Sequence, residues 1–435
     1  MPLDLTETTL PNGLTVIVHE AHRVPIAAVN VWYRVGSKDE QPGLTGLAHL
    51  FEHLMFEGAA HQPRGYFEPL QAAGASVNGS TSADRTNYWE TVPAGAVRLA
   101  LWMEADRMGW MAPALTEARF HTQRDVVVNE RRQSYENRPY GRAHFALLAA
   151  LFPERHPYRW PTIGARADLE RATLDDARAF LARFYHPANA SLVIAGDVRA
   201  DEILPMVEEL FGAIPRGPVP GIPAPQAVQG RASRTVLEDR VELPRLYLAW
   251  PTPALFADED AELDLAADVL ANGRTSRLYR RLIHDRRVAT DVAGAQSSRQ
   301  LTSSFQIAAT AAPGVALESL ASAIGEEIAE LAADGPREDE LVRGRAQAEA
   351  AFVYRVQTLG GFGGLADQLN AYHTHGRSPD WFDADLARYT GATARSIQSA
   401  VSRWLDPSRA AALSVVRAGE SRAALLGSVP AGDDL

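Results

Sequence analysis

Five prolines fall between Pro215 and Pro225 of this 435-residue chain, with Gly217 and Gly221 among them. Each proline lacks a backbone N–H and fixes its own φ, so neither a helix interior nor a central strand tolerates that density. Residues 214–225 therefore read as the core of an extended, semi-rigid linker. The linker separates two halves of similar length. Each half opens with strand-like sequence and passes into helix. Residues 14–18 and 26–33 open the first half, and residues 246–250 lie near the start of the second. Apolar runs rich in β-branched and aromatic residues carry these assignments. Helical patterns follow at 96–108 and 259–270. Late in each half a helix precedes a short strand: 175–184 before 191–195, and 392–405 before 411–416. The order predicts an α+β fold made of a duplicated unit, with domains at 1–213 and 233–435 and a linker at 214–232. Element order alone still allows two unrelated α+β domains.

The chemistry concentrates in His49-Leu50-Phe51-Glu52-His53. Two histidines four apart project from one face of a helix, one turn above the other. That spacing suits two imidazoles on one metal ion, with Glu52 on the same turn as a base. H-x-x-E-H is the inverzincin order, the reverse of H-E-x-x-H. Taken alone, the segment also fits an amphipathic helix with two polar histidines, because Leu50, Phe51, Leu54, Met55 and Phe56 suit any helix packed into a core. A catalytic zinc site needs a third protein ligand. Glu130 follows the apolar run Val126-Val127-Val128 within residues 117–136, which hold neither proline nor glycine and read as helix. By itself Glu130 reads as a solvated helix carboxylate.

These residues, with Leu10-Pro11-Asn12-Gly13-Leu14 near the start and His156-Pro157-Tyr158 midway, give the chain a resemblance to the pitrilysin (M16) family of zinc peptidases. The resemblance extends over nearly the whole chain, and its layout is similar to the short, two-domain bacterial and mitochondrial branch. It implies Zn2+ as cofactor, held by His49, His53 and Glu130, with Glu52 as general base. It implies two homologous α/β-sandwich halves that close like half of a clamshell chamber, only the first carrying metal. It also implies that the strand over residues 75–81 is an exposed sheet edge to which a peptide adds as an extra strand. Asn78, Gly79 and Ser80 would then contact substrate. Without the resemblance, Asn78 is as readily a turn-flanking residue and Gly79 a bulge.

Two departures from the family pattern stand out. Relatives often carry an Arg and a Tyr, seven residues apart in the second half, that orient substrate. The aligned positions here are Ile283 and Thr290. Isoleucine has no donor, and the threonine hydroxyl sits on a much shorter side chain than tyrosine. A shifted register would bring Arg286 or Arg287 to this place. The chain is therefore expected to work with a homologous partner subunit that supplies the pair, as the zinc subunit of the mitochondrial processing peptidase does. Gln123 occupies the position where relatives often have Glu, two helical turns before Glu130. An amide supports a ligand by hydrogen bonding but carries no charge, and a surface glutamine with no role fits the residues equally.

Composition excludes several classes. With no cysteine there is no thiolate nucleophile, no disulfide and no Cys-ligated metal. A net charge of −11 argues against nucleic acid as a partner. No apolar run is long enough to span a bilayer. The first residues lack an apolar signal core, so the chain as written is expected in the cytoplasm, or in the periplasm if a signal peptide has been removed. The expected function is a zinc-dependent endopeptidase or oligopeptidase acting on peptides or unfolded segments, as the zinc-bearing subunit of a heterodimer. The alternatives are a non-catalytic subunit of the same family, which the full set of ligands disfavours, and a peptidase specific for leader sequences.

Overall fold

A computed structural model describes residues 3–221 and 228–432. The chain forms two compact units. One collects Met1–Arg131, Pro161–Ile222 and Ala351–Ala384; the other collects Arg132–Trp160, Pro223–Ala350 and Asp385–Leu435. The units thus depart from domains at 1–213 and 233–435, because a segment of each half belongs with the other unit's core. Periodicity within a segment cannot reveal that exchange, since it reports which face is apolar and not which sheet covers it. Of the expected linker, residues 222–227 lie outside the described residues, and the rest of 214–232 forms neither helix nor strand.

Each unit is built on a six-stranded sheet. The first holds β1 (Leu5–Thr9), β2 (Thr15–Glu20), β3 (Ile26–Tyr33), β4 (Ser76–Thr81), β5 (Thr86–Pro93) and β6 (Ala190–Gly196), in the order β1-β2-β6-β3-β5-β4. The second holds β7 (Ser233–Asp239), β8 (Arg245–Thr252), β9 (Ala289–Ser297), β10 (Ser303–Ala311), β11 (Ala411–Arg417) and β12 (Val429–Pro430), in the order β12-β7-β11-β8-β10-β9. The last five places correspond one to one. Within those five places β2–β6 and β7–β11 are the parallel pairs, while β3 and β8 run antiparallel to both neighbours; outside them β1 lies antiparallel to β2 and β12 parallel to β7. This is the α+β duplication expected from element order. The exception is the outer strand, which comes from the N-terminus in one sheet and from the C-terminal region in the other. The second core gathers Leu246, Leu248, Trp250, Phe305 and Ile307 from strands under the helix Asp260–Leu270 and its neighbours.

In the first unit the two faces of the sheet are covered differently. Tyr33 and Tyr88 point toward the helices on one face, where Tyr33 packs against Tyr88 and Tyr185. Beside them the fully buried Arg107 lies between the rings of Tyr66 and Tyr88, 3.8 and 3.9 Å from their centres, and pairs with Glu104 and Glu90. The opposite face presents Asn30, Trp32, Asn87 and Trp89. It is sealed by the helix Leu365–Thr374, contributed by the far half of the chain. Asp367 on that helix accepts hydrogen bonds from Trp32 Nε1 at 2.8 Å and Asn87 Nδ2 at 2.9 Å. A buried carboxylate persists only when it is satisfied in this way.

Candidate metal centre

The motif helix runs from Leu47 to Phe56. Leu47, Ala48, Leu50, Phe51, Leu54 and Met55 are buried, a three-and-four spacing that turns one stripe to the core. His49, Glu52 and His53 fall on the other stripe and are only partly covered. Phe51 anchors the buried stripe by stacking on Tyr185, ring centres 4.6 Å apart. The helix starts abruptly at Gly46, whose φ is +91°. A Cβ there would sit 2.8 Å from Leu169 and 2.9 Å from the Ile163 carbonyl, so only glycine fits both the conformation and the space. Glu40 closes the first turn. Its carboxylate accepts the N–H of Gly46 at 2.9 Å and of Ala48 at 2.8 Å. These are donors that a helix cannot satisfy internally. Nothing in the sequence pattern marks Glu40; it precedes the helix by seven residues and was not expected at the site.

Glu130 stands near the end of the helix Glu117–Arg131, which seats Phe120, Val127 and Arg131 in the core. Its Oε2 lies 3.4 Å from His53 Nε2 and 3.8 Å from His49 Nε2. The three ligand atoms all fall within 4.8 Å of one another. Metal–ligand bonds of about 2.0–2.1 Å in a tetrahedron put ligand atoms roughly 3.3 Å apart, so the cluster matches the size of a zinc site. Two imidazoles and one carboxylate also match the catalytic donor set, which leaves a fourth position for water or substrate. Burial pushes the His49 imidazolium down to about 4, with the neighbouring His53 adding to the effect. The ring is therefore neutral, the form that binds metal. Burial also opposes charge on His53, but its hydrogen bond to Glu130 and the charge of Glu52 outweigh this and raise it. The same His53 hydrogen bond holds the Glu130 carboxyl below its ordinary range.

Glu52 projects beside the cluster, where its carboxylate accepts the Thr81 hydroxyl at 2.6 Å. Burial raises its carboxyl above the ordinary value, and the Thr81 bond offsets part of that rise. Gln123 donates to Glu57 Oε1 at 2.6 Å. Its amide lies near His53 and favours that ring's charged form, the support an amide gives in place of a charge.

β4 ends its sheet, paired only with β5 among the described residues. Residues directly opposite across a pair share a face. Thr81 reaches Glu52, and a Cβ on Gly79 would meet the Phe56 ring at 3.0 Å. Positions 77, 79 and 81 therefore look toward the motif helix. Asn78 and Ser80 lie opposite Trp89 and Asn87 on the other face. The Asn78 side-chain Oδ1 accepts the Gly79 N–H at 2.8 Å, and the Ser80 hydroxyl donates to Asn87 Oδ1 at 2.7 Å. Of the three expected substrate contacts, only Gly79 is on the same face as the metal cluster.

In the second unit Ile283 sits on the helical segment Tyr279–Asp285 and packs against the core. Thr290 on β9 donates weakly to the Thr310 carbonyl at 3.5 Å. Arg286 is engaged by Glu326 at 2.6 Å. Arg287 adopts a positive φ of 52°.

Two family models match the sequence. Residues 15–162 match "Insulinase (Peptidase family M16)", and residues 171–348 match "Peptidase M16 inactive domain". The chain belongs to peptidase family M16. The first match contains His49, Glu52, His53 and Glu130; the inactive-domain match contains none of them. Among M16 relatives, a zinc protease of Helicobacter pylori is 29% identical over 368 residues, covering 83% of this chain and 82% of the relative. An uncharacterized zinc protease of Mycobacterium leprae is 28% identical over 337 residues, covering 77% and 75%. The crystal structure of a protease from Helicobacter pylori superimposes with a TM-score of 0.88 at 24% identity, covering 95% of this chain and 100% of that one. A peptidase M16 inactive domain from Pseudomonas fluorescens does so with a TM-score of 0.83 at 18% identity, covering 99% and 100%. These structural likenesses establish the M16 fold. No helix among the described residues is long and apolar enough to cross a membrane.

Proposed function

We propose that this M16 chain is a zinc-dependent endopeptidase or oligopeptidase that hydrolyses peptides and unfolded segments. The observation that carries the reading is the convergence of His49, His53 and Glu130 ligand atoms within 4.8 Å, from two different helices, beside a partly covered Glu52. These three side chains would hold the ion. Zinc there supplies Lewis acidity toward water and the scissile carbonyl. Glu52 takes the proton from the attacking water and returns it to the leaving amine nitrogen. Its raised carboxyl value brings it closer to neutrality, which suits a group that both accepts and donates. Substrate adds to the free edge of β4, where main-chain hydrogen bonding binds a peptide without reading its sequence.

The zinc chain works with a homologous partner that supplies an Arg and a Tyr donor. Ile283 packed into its own core, Thr290 turned to a carbonyl, and Arg286 held by Glu326 support this part. None of the three is a free donor for a substrate oxyanion. The test is to purify the chain alone and with a homologous partner, and to measure zinc content and hydrolysis of an unfolded substrate in each. Stoichiometric zinc with hydrolysis in the paired sample supports the reading. Absence of zinc from both removes it.

A further inference from the structure

The face of the first sheet turned away from Glu52 carries a feature with no part in the chemistry. Residues 359–364 read Leu-Gly-Gly-Phe-Gly-Gly. They form a tight loop laid over β3 and β5. Gly360 lies so close that a Cβ would meet Thr91 Oγ1 at 2.2 Å and Ala28 Cβ at 3.0 Å. Gly361 and Gly363 hold φ values of +81° and +69°, which other residues rarely adopt. The loop is pinned at its base, where Asp367 Oδ2 accepts the Gly363 N–H at 2.8 Å and the Leu365 N–H reaches the Thr358 carbonyl at 2.7 Å. At its tip Phe362 remains 50% exposed and meets Trp89 edge to face, ring centres 5.4 Å apart. Trp89 Nε1 is buried with no hydrogen-bond partner among the described residues, so Trp89 offers packing here. The Phe362 ring is thus presented to solvent from a loop whose backbone is fixed at Gly360 and Gly363.

We propose that Phe362, backed by Trp89, is a specificity-determining subsite that selects a large apolar side chain on the substrate. This rests on the reading that substrate adds to β4. Side chains of an added strand alternate between the two faces. Those in register with Gly79 look toward the motif helix; those in register with Asn78 look toward the loop. Trp89 is directly opposite Asn78, so two strand spacings, about 10 Å, separate it from the added strand. Asn78 is small, and its side-chain oxygen is turned back onto the Gly79 N–H, so it does not itself extend across that interval. A Phe, Leu or Met side chain spans toward the Phe362 ring; Gly, Ala or Ser does not. Selectivity should therefore fall on one residue, at a position alternating with those that face the metal cluster.

The test uses zinc-loaded full-length Glu52→Gln protein, so that peptides bind without being cut. Affinities are measured for peptides placing Phe or Gly at successive positions, and compared with a Phe362→Ala version. One position should show about tenfold tighter binding with Phe than with Gly, the size expected for burying one aromatic side chain. Phe362→Ala should abolish that difference while leaving the Gly peptides unchanged, and Phe362→Leu should restore part of it. Equal weakening of Phe and Gly peptides, or an unchanged preference, overturns the subsite and leaves the peptidase reading standing. No peptide binding by the zinc-loaded protein overturns both.

Discussion

Replacing Glu40 by alanine should loosen the motif helix as a whole. The Glu40 side chain is 7% exposed and takes two N–H donors of the helix start, at 2.9 and 2.8 Å. A hydrogen bond to a charged acceptor contributes about 1.5–3 kcal/mol, and a buried donor left bare costs about 1–3 kcal/mol. These figures describe one loss from two sides and are not summed. Some water will reach the freed turn, so a destabilisation of about 3 kcal/mol is expected for the two donors together. Glu40→Gln keeps one neutral acceptor oxygen and should cost about a third as much. The assay is amide hydrogen exchange along residues 50–56, which reads the opening free energy of this helix separately from global unfolding. Zinc affinity should fall in parallel, because His49 and His53 ride on the same helix. Unchanged protection in Glu40→Ala, within about 0.5 kcal/mol, would refute the view that this carboxylate seats the helix.

Glu130→Gln should cost most of the bound zinc, since a neutral amide replaces the anionic ligand; metal analysis showing wild-type occupancy removes Glu130 from the site. The purified chain alone should bind zinc yet hydrolyse peptides on the order of 10²–10³ more slowly than when paired with a homologue carrying Arg and Tyr, by analogy with loss of an oxyanion donor. Full activity from a verified single-chain sample contradicts that. Burial holds the His375 imidazolium down to about 4, below the ordinary 6.5 of an unfolded chain. Between those values the unfolded chain binds a proton that the folded one does not, so stability falls as pH drops from 6.5 toward 4. His375→Gln should shallow that decline in a series of denaturation curves, and an unaltered slope would show that His375 titrates normally.

The parts of the molecule legible in its sequence are those with a local signature. The apolar stripe of 47–56 and the spacing of His49 and His53 follow from helix geometry. β3 falls at Ile26–Tyr33 because its run of β-branched and aromatic residues suits a buried strand. Glu130 needed the family resemblance, since a lone helix carboxylate has no signature of its own. What escaped depends on distant parts of the chain. Asp367 meets Trp32 and Asn87 across 335 and 280 residues, and no window of sequence contains both ends. The exchange of Arg132–Trp160 and Ala351–Ala384 between units is hidden for the same reason. Asn12 shows the converse. It belongs to a stretch that carries the resemblance, yet its amide donates to the Phe211 and Ile214 carbonyls at 2.8 and 3.1 Å and pins a turn. The facing of Asn78 was also unreadable, because strand alternation gives two faces but not which one meets the motif helix.

The most direct test of the central claim is the comparison of wild type with Glu52→Gln, measuring zinc content and hydrolysis of an unfolded substrate on the same preparations, each with the proposed homologous partner added. The account predicts equal zinc in both, because His49, His53 and Glu130 remain. It predicts turnover in the wild type alone, because only the base has been lost. Comparable turnover in Glu52→Gln, or loss of zinc along with the carboxylate, would contradict the roles assigned to these four residues.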